Sequence, residues 1–186
     1  MTTLKDWAIK PPTTRAELGQ YRNLKIQGYR AEVHGVRIAT GKIWDLDHFI
    51  PHNYLMDGFI YIRSRCIVAE VNVDVYYAAN VLLSLAEKPL APAPLPDLDS
   101  DQALFTHFHQ TGELVAIFCK RQYECIFARI TGVDHKSCDV RPINDQVEES
   151  DETFRLEYNK VRMVLANTHQ LKYYQMYQQR CRHGES

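Results

Sequence analysis

The stretch "WDLDHFIPH", residues 44–52, gathers Asp45, Asp47, His48 and His52 within nine positions. Carboxylates and imidazoles brought close together can hold a divalent metal. Pro51 forbids the helical spacing that would set His48 beside His52. The segment therefore reads first as a solvated loop between strands, with Trp44 and Phe49 tucked beneath it. A metal-dependent enzyme centred on residues 44–52 is the second alternative.

A different chemistry is offered by "LKYYQMYQQRCRH", residues 171–183. Lys172, Arg180 and Arg182 interleave with Tyr173, Tyr174 and Tyr177. Aromatic faces with cations can stack bases and pair phosphates. Tyr and Arg are also favoured at protein interfaces. These six residues are the candidate partner-binding set. A helix packing its tyrosines on its own barrel, with a solvated basic end, is the plainer possibility.

Other catalytic patterns are missing. No G-x-S-x-G, C-x-x-C or P-loop occurs, and "GVRIATGK" (35–42) lacks the P-loop spacing. His107 and His109 fall on different sides of a helix and cannot share one ion. Neither a catalytic residue nor a cofactor is expected.

The 186 residues carry 22 Lys+Arg against 23 Asp+Glu, a formal charge of −1. A protein that lives by neutralising phosphates usually carries a basic surplus. Here any nucleic-acid contact would need a local patch. The five cysteines are odd in number and widely spaced, unlike a secreted disulfide framework. With no apolar signal core and no membrane-length apolar run, a cytoplasmic protein is expected.

The elements that must position these groups fall into two halves. "EKPLAPAPLPDLDSD" (87–101) removes backbone donors and fixes φ, so it reads as a Pro-rich linker. The expected units are residues 1–87, a linker over 88–98, and residues 99–186. In the second unit a helix begins near Asp99, with Gln102 at capping-box spacing and Gly112 after its end. Strands are expected over 113–119, 125–130, 138–143, 153–158 and 160–166, then a helix over 168–181 with Tyr173, Tyr174, Tyr177 and Cys181 on one stripe. The first unit shows helix signals at 13–21 and 74–87 around strand candidates. An offset of 95 residues aligns Phe59 with Phe154, Arg65 with Lys160 and Asn72 with Asn167.

Residues 112–167 resemble an Sm-like or SH3-like small barrel. Gly112 ahead of the first strand, the long second strand ending at Val133–Asp134 and the "YNK" junction (158–160) carry the resemblance. The RNA-reading motifs are not matched: "DHKSCD" (134–139) keeps only the aspartate, and "NKVRM" (159–163) lacks the Arg-Gly step. The fold class expected is α+β, with two tandem small barrel-like units flanked by helices. The function expected is non-catalytic binding of a protein partner or a second copy. RNA or DNA binding through the C-terminal helix is the first alternative.

Overall fold

The computed structural model describes residues 21–51, 57–71, 95–120 and 125–182. Strands dominate the described residues. The first half gives β1 (Tyr21–Ile26), β2 (Glu32–Thr40), β3 (Trp44–Ile50), β4 (Phe59–Arg63) and β5 (Ile67–Val71). The second gives β6 (Val115–Cys119), β7 (Cys125–Val133), β8 (Ser137–Pro142), β9 (Phe154–Glu157) and β10 (Val161–Ala166). Helix α1 (Asp101–Thr111) precedes β6, and α2 (His169–Arg182) follows β10. A single 3-10 turn, Ser64–Cys66 or Tyr158–Lys160, stands before the last strand of each half.

All ten strands belong to one antiparallel sheet, in the order β5-β1-β2-β3-β4-β10-β6-β7-β8-β9. This corrects the expectation of two tandem barrel-like units, each flanked by helices. The reason is β4. Its sequence FIYIR is apolar on both faces, and four of its five residues are buried. Left as an edge, it would expose unpaired backbone beside apolar side chains. Instead it pairs with β10, Ile62 opposite Met163 and Ile60 opposite Leu165. Among the described residues there are two α-helices. The helices expected over 13–21 and 74–87 lie outside the described residues, except Tyr21, which opens β1.

The core ignores the midpoint of the chain. Trp44, Leu46 and Tyr61 pack with α1 residues Leu104, Phe105 and Phe108 and with Val115, Ile117, Val140 and Leu156. A second cluster joins Leu24, Ile26, Val33, Ile60 and Ile62 to Met163 of β10. The sheet also curls, because Tyr29 in the β1–β2 turn meets Phe118 of β6 edge to face at 5.8 Å. The described end of the Pro-rich segment packs as well. Leu98 is buried, and its carbonyl accepts from the Ile43 and Trp44 amides. Helix α1 is capped by Ser100, one residue beyond the expected Asp99, through a bond from the Ala103 amide. Asp99 accepts from the Lys42 amide instead. Gly112 ends the helix at φ 61°, where a side chain would be strained.

The two halves repeat one another in register. Ile26 pairs with Ile67, and beyond a bulge Lys25 pairs with Ala69. Likewise Cys119 pairs with Val161, and beyond a bulge Phe118 pairs with Met163. The second bulge recurs too, at Arg37–Ala39 of β2 and Ile130–Gly132 of β7. The last hairpins therefore superpose with Ile67 on Val161, one residue away from the offset expected from Phe59 and Phe154. A shift of one in a strand exchanges its two faces.

At one place the halves differ in kind. Arg22 of β1 stands opposite Gly35 of β2, and its guanidinium reaches over that strand to β3. It donates to Asp47 at 2.9 and 2.5 Å and to Asp45 at 2.9 Å. All three side chains are buried. Gly35 is required for the crossing, because a Cβ there would lie 2.7 Å from the Asp47 Cβ. The equivalent positions in the second half are Val115, Ala128, Cys138 and Val140, an apolar set. Removing one partner of a buried ion cluster leaves an uncompensated charge, whereas replacing the whole cluster by fitted apolar groups is nearly neutral. Arg22→Val should therefore cost roughly 3 kcal/mol or more in urea unfolding. The combined R22V, G35A, D45C and D47V chain should regain most of that loss. A combined chain no more stable than R22V alone would contradict this reading.

Candidate functional site

Residues 44–50 form a central strand, which corrects their reading as a solvated loop. Of the four candidate metal ligands, the described three, Asp45, Asp47 and His48, are not grouped as a metal site. Asp45 and Asp47 are held by Arg22, and Ser64 also donates to Asp45 at 3.3 Å. Burial pushes the Asp47 carboxyl above its ordinary value, against the opposing pull of Arg22. The His48 ring packs beside Phe59, centroids 5.0 Å apart and planes tilted by 32°. His52 lies outside the described residues. Among the described residues, no three His, Cys, Asp or Glu side chains are grouped to hold a metal.

Helix α2 carries the other candidate set, and its mounting explains which side chains are free to act. Asn167 adopts φ 58° and turns the chain out of β10. The Thr168 hydroxyl accepts from the Leu171 amide. Asp57 accepts from the His169 amide at 2.6 Å, placing a carboxylate at the positive end of the helix. Leu171, Tyr174 and Gln178 then form the inner stripe. Leu171 is buried, and Tyr174 meets Phe127 edge to face at 5.4 Å. Gln178 donates to the Val147 carbonyl and accepts from Arg129. Arg129 also binds Glu149 at 2.6 Å and the Gly112 carbonyl, so one guanidinium ties α2, the acidic 144–152 loop and the end of α1 together.

The opposite face of α2 is open. Tyr173 is 66% exposed, Met176 49% and Tyr177 53%. Lys172, Arg180 and Cys181 are exposed with them. The expected stripe of Tyr173, Tyr174, Tyr177 and Cys181 is therefore divided, with Tyr174 facing the sheet and the others facing out. Of Arg182 only the backbone is described. Met176 was not singled out in the sequence, although it stands three residues after Tyr173 and shares its face. Arg129 and Asp57 were also missed, since neither contact is local in sequence.

Two surface grooves flank these elements. One, of about 380 Å³, lies between α2 and the acidic loop and is lined by Val147, Glu148, Glu149, Tyr177 and Cys181. The other, of about 480 Å³, lies near the β9 edge and holds Lys120, Arg155 and Lys160 beside Phe154 and Ile126. The described cysteines all stand as free thiols. Burial pushes the Cys138 thiol up to about 12 and that of Cys125 up to about 11. Neither is arranged as a thiolate nucleophile.

Comparison with protein-family models, curated proteins and solved structures finds no match.

These environments set an order of thiol reactivity. At neutral to mildly alkaline pH, exposed Cys181 should react first with a maleimide, while buried Cys138 should stay unmodified until the chain unfolds. Peptide mass mapping of a timed reaction checks this. Early labelling of Cys138 in the native protein would contradict its placement in the core.

Proposed function

We propose that this chain is a non-catalytic cytoplasmic interaction protein that binds a protein partner through the outer face of α2. The observation that carries the reading is the division of labour along that helix. Its inner stripe fixes it to the sheet, and its outer stripe shows Tyr173, Met176 and Tyr177 at i, i+3 and i+4. That spacing suits a partner groove or an amphipathic partner helix. A pre-positioned helix also loses little conformational freedom on binding. Glu148 and Glu149 lie beside Tyr177, which disfavours a polyanion there and ranks protein ahead of nucleic acid. The tethered carboxylates and high thiol pKa values support a non-catalytic role. The free thiols suit a reducing compartment. Among the described residues, no helix is long and apolar enough to cross a membrane.

The nucleic-acid alternative finds its support elsewhere than expected. Lys120, Arg155 and Lys160 line a groove beside exposed Phe154, an aromatic platform, with Arg155 paired to Asp134 and Asp139 and Lys160 to Glu157. It does not include α2.

Affinity capture from cytoplasm, with and without nuclease, tests the ranking. The double variant Tyr173→Ala, Tyr177→Ala should lower partner recovery roughly tenfold and leave the denaturation midpoint unchanged. Tyr174→Ala should instead destabilise the fold by about 2 kcal/mol through lost burial against Phe127. Recovery of a nuclease-sensitive nucleic acid that is lost on Lys120→Ala and Lys160→Ala, and untouched by the α2 changes, would favour the alternative.

A further inference from the structure

Beside the outer face of α2 lies the groove of about 380 Å³ between Tyr177, Cys181 and the 144–152 loop. Its described lining holds two carboxylates, Glu148 and Glu149, and no Lys or Arg. The two carboxylates are not equivalent. Glu149 is already paired with Arg129 at 2.6 Å, and Arg141 lies 3.9 Å away. Glu148 is exposed, and the group that donates to its carboxylate is neutral, the Asn144 side-chain amide at 3.3 Å. The loop that presents Glu148 is firmly held. The Asn144 carboxamide oxygen accepts from the amides of Gln146 and Glu148, and Gln178 donates to the Val147 carbonyl. Val147 is thereby kept at φ 65°, a conformation that β-branched residues rarely adopt. Tyr177 forms the facing wall. A hydrogen bond with Cys181 and the nearby Glu148 charge push its hydroxyl above the ordinary value, so the ring stays a neutral π surface. The exposed cations of α2, Lys172 and Arg180, lie outside the lining.

We propose that the partner seated on α2 carries an Arg or Lys that enters this groove, lies along the Tyr177 ring and pairs with the Glu148 carboxylate. The inference rests on α2 being the interface and adds what the partner must present there. The aliphatic stem of such a side chain covers Val147 and the Tyr177 ring, and its cationic end reaches Glu148. An acidic side chain in the same place would meet two carboxylates. A neutral one would desolvate Glu148 without giving it a charged partner. Tyr173 and Met176 continue the exposed stripe away from the groove, so apolar residues about one helical turn from the partner's cation cover them. The groove is set before binding by Arg129, Gln178 and Asn144, so this side loses little freedom on association. The partner is thus an amphipathic segment with a basic residue beside its apolar stripe.

Selection of random phage-displayed peptides of about 16 residues, long enough for about four helical turns, tests this on the full chain. Peptides that bind the native chain but not the Tyr173→Ala, Tyr177→Ala variant should share an Arg or Lys at one spacing from their apolar residues. Replacing that basic residue by Glu should weaken binding to the native chain about tenfold or more. Glu148→Lys should likewise lose the original peptides and bind the Glu-substituted ones. Circular dichroism confirms that each variant is folded. If Glu148→Lys unfolds the chain, Glu148→Gln removes the charge alone and should still weaken the original peptides. Peptides that depend on Tyr173 and Tyr177 yet share no basic residue overturn the proposal and leave α2 as the interface. So does a shared basic residue whose replacement costs the same in the native chain and in Glu148→Gln. A selection that yields no peptide dependent on the two tyrosines contradicts the interface itself, and this inference with it.

Discussion

The pairing of β4 with β10 is the contact on which the rest of the structure depends. It turns two five-stranded arrays into one sheet, and Arg63 fastens it. That guanidinium, buried at the end of β4, donates to the carbonyls of Val161 and Tyr158 in the second half. It also pairs with Asp101 at the start of α1 at 2.6 Å and lies 4.5 Å from the centroid of the Trp44 ring. Trp44 in turn donates to Asp101 at 3.0 Å. Strands β3, β4 and β10 and helix α1 are thus locked at one corner, and α1 is set down across the seam. Tyr61 and Phe108 meet edge to face beneath it at 5.3 Å. A buried charge network of this kind gives little net stability, yet it tolerates few alternative arrangements.

The repeat makes the differences between the halves interpretable. The same strand order and the same two bulges hold an apolar interior in one half and the Arg22 cluster in the other. The second half also carries α2 on an outer surface, clamped by Arg129. Among the described residues, the one helix that presents aromatic side chains to solvent belongs to this half.

Much of the strand content was legible because alternation with period two is a local signal. The last five strands fall within a few residues of where the pattern sets them. The joining of the halves was not legible, since the β4–β10 pairing links positions about a hundred residues apart and a Pro-rich stretch suggests separation. The polar alternation in WDLDHFI was read as solvation because its partner, Arg22, lies on another strand. A signal did exist: Arg22 shares its face with Leu24 and Ile26 and so points inward. The Phe59–Phe154 match misled by one residue, and structural register exposed the slip. On α2, the tyrosines were found in sequence, but only packing tells Tyr174 from its neighbours.

Native-state hydrogen exchange tests the central claim, that the seam makes one cooperative body of both halves. If the account holds, the amides of Ile60, Tyr61 and Ile62 and those of Met163, Val164 and Leu165 exchange only through global opening. They should share one free energy, and that value should match the unfolding free energy from denaturant. Rapid exchange across β1–β4 while β6–β10 stays protected, with two separate unfolding transitions, would contradict it.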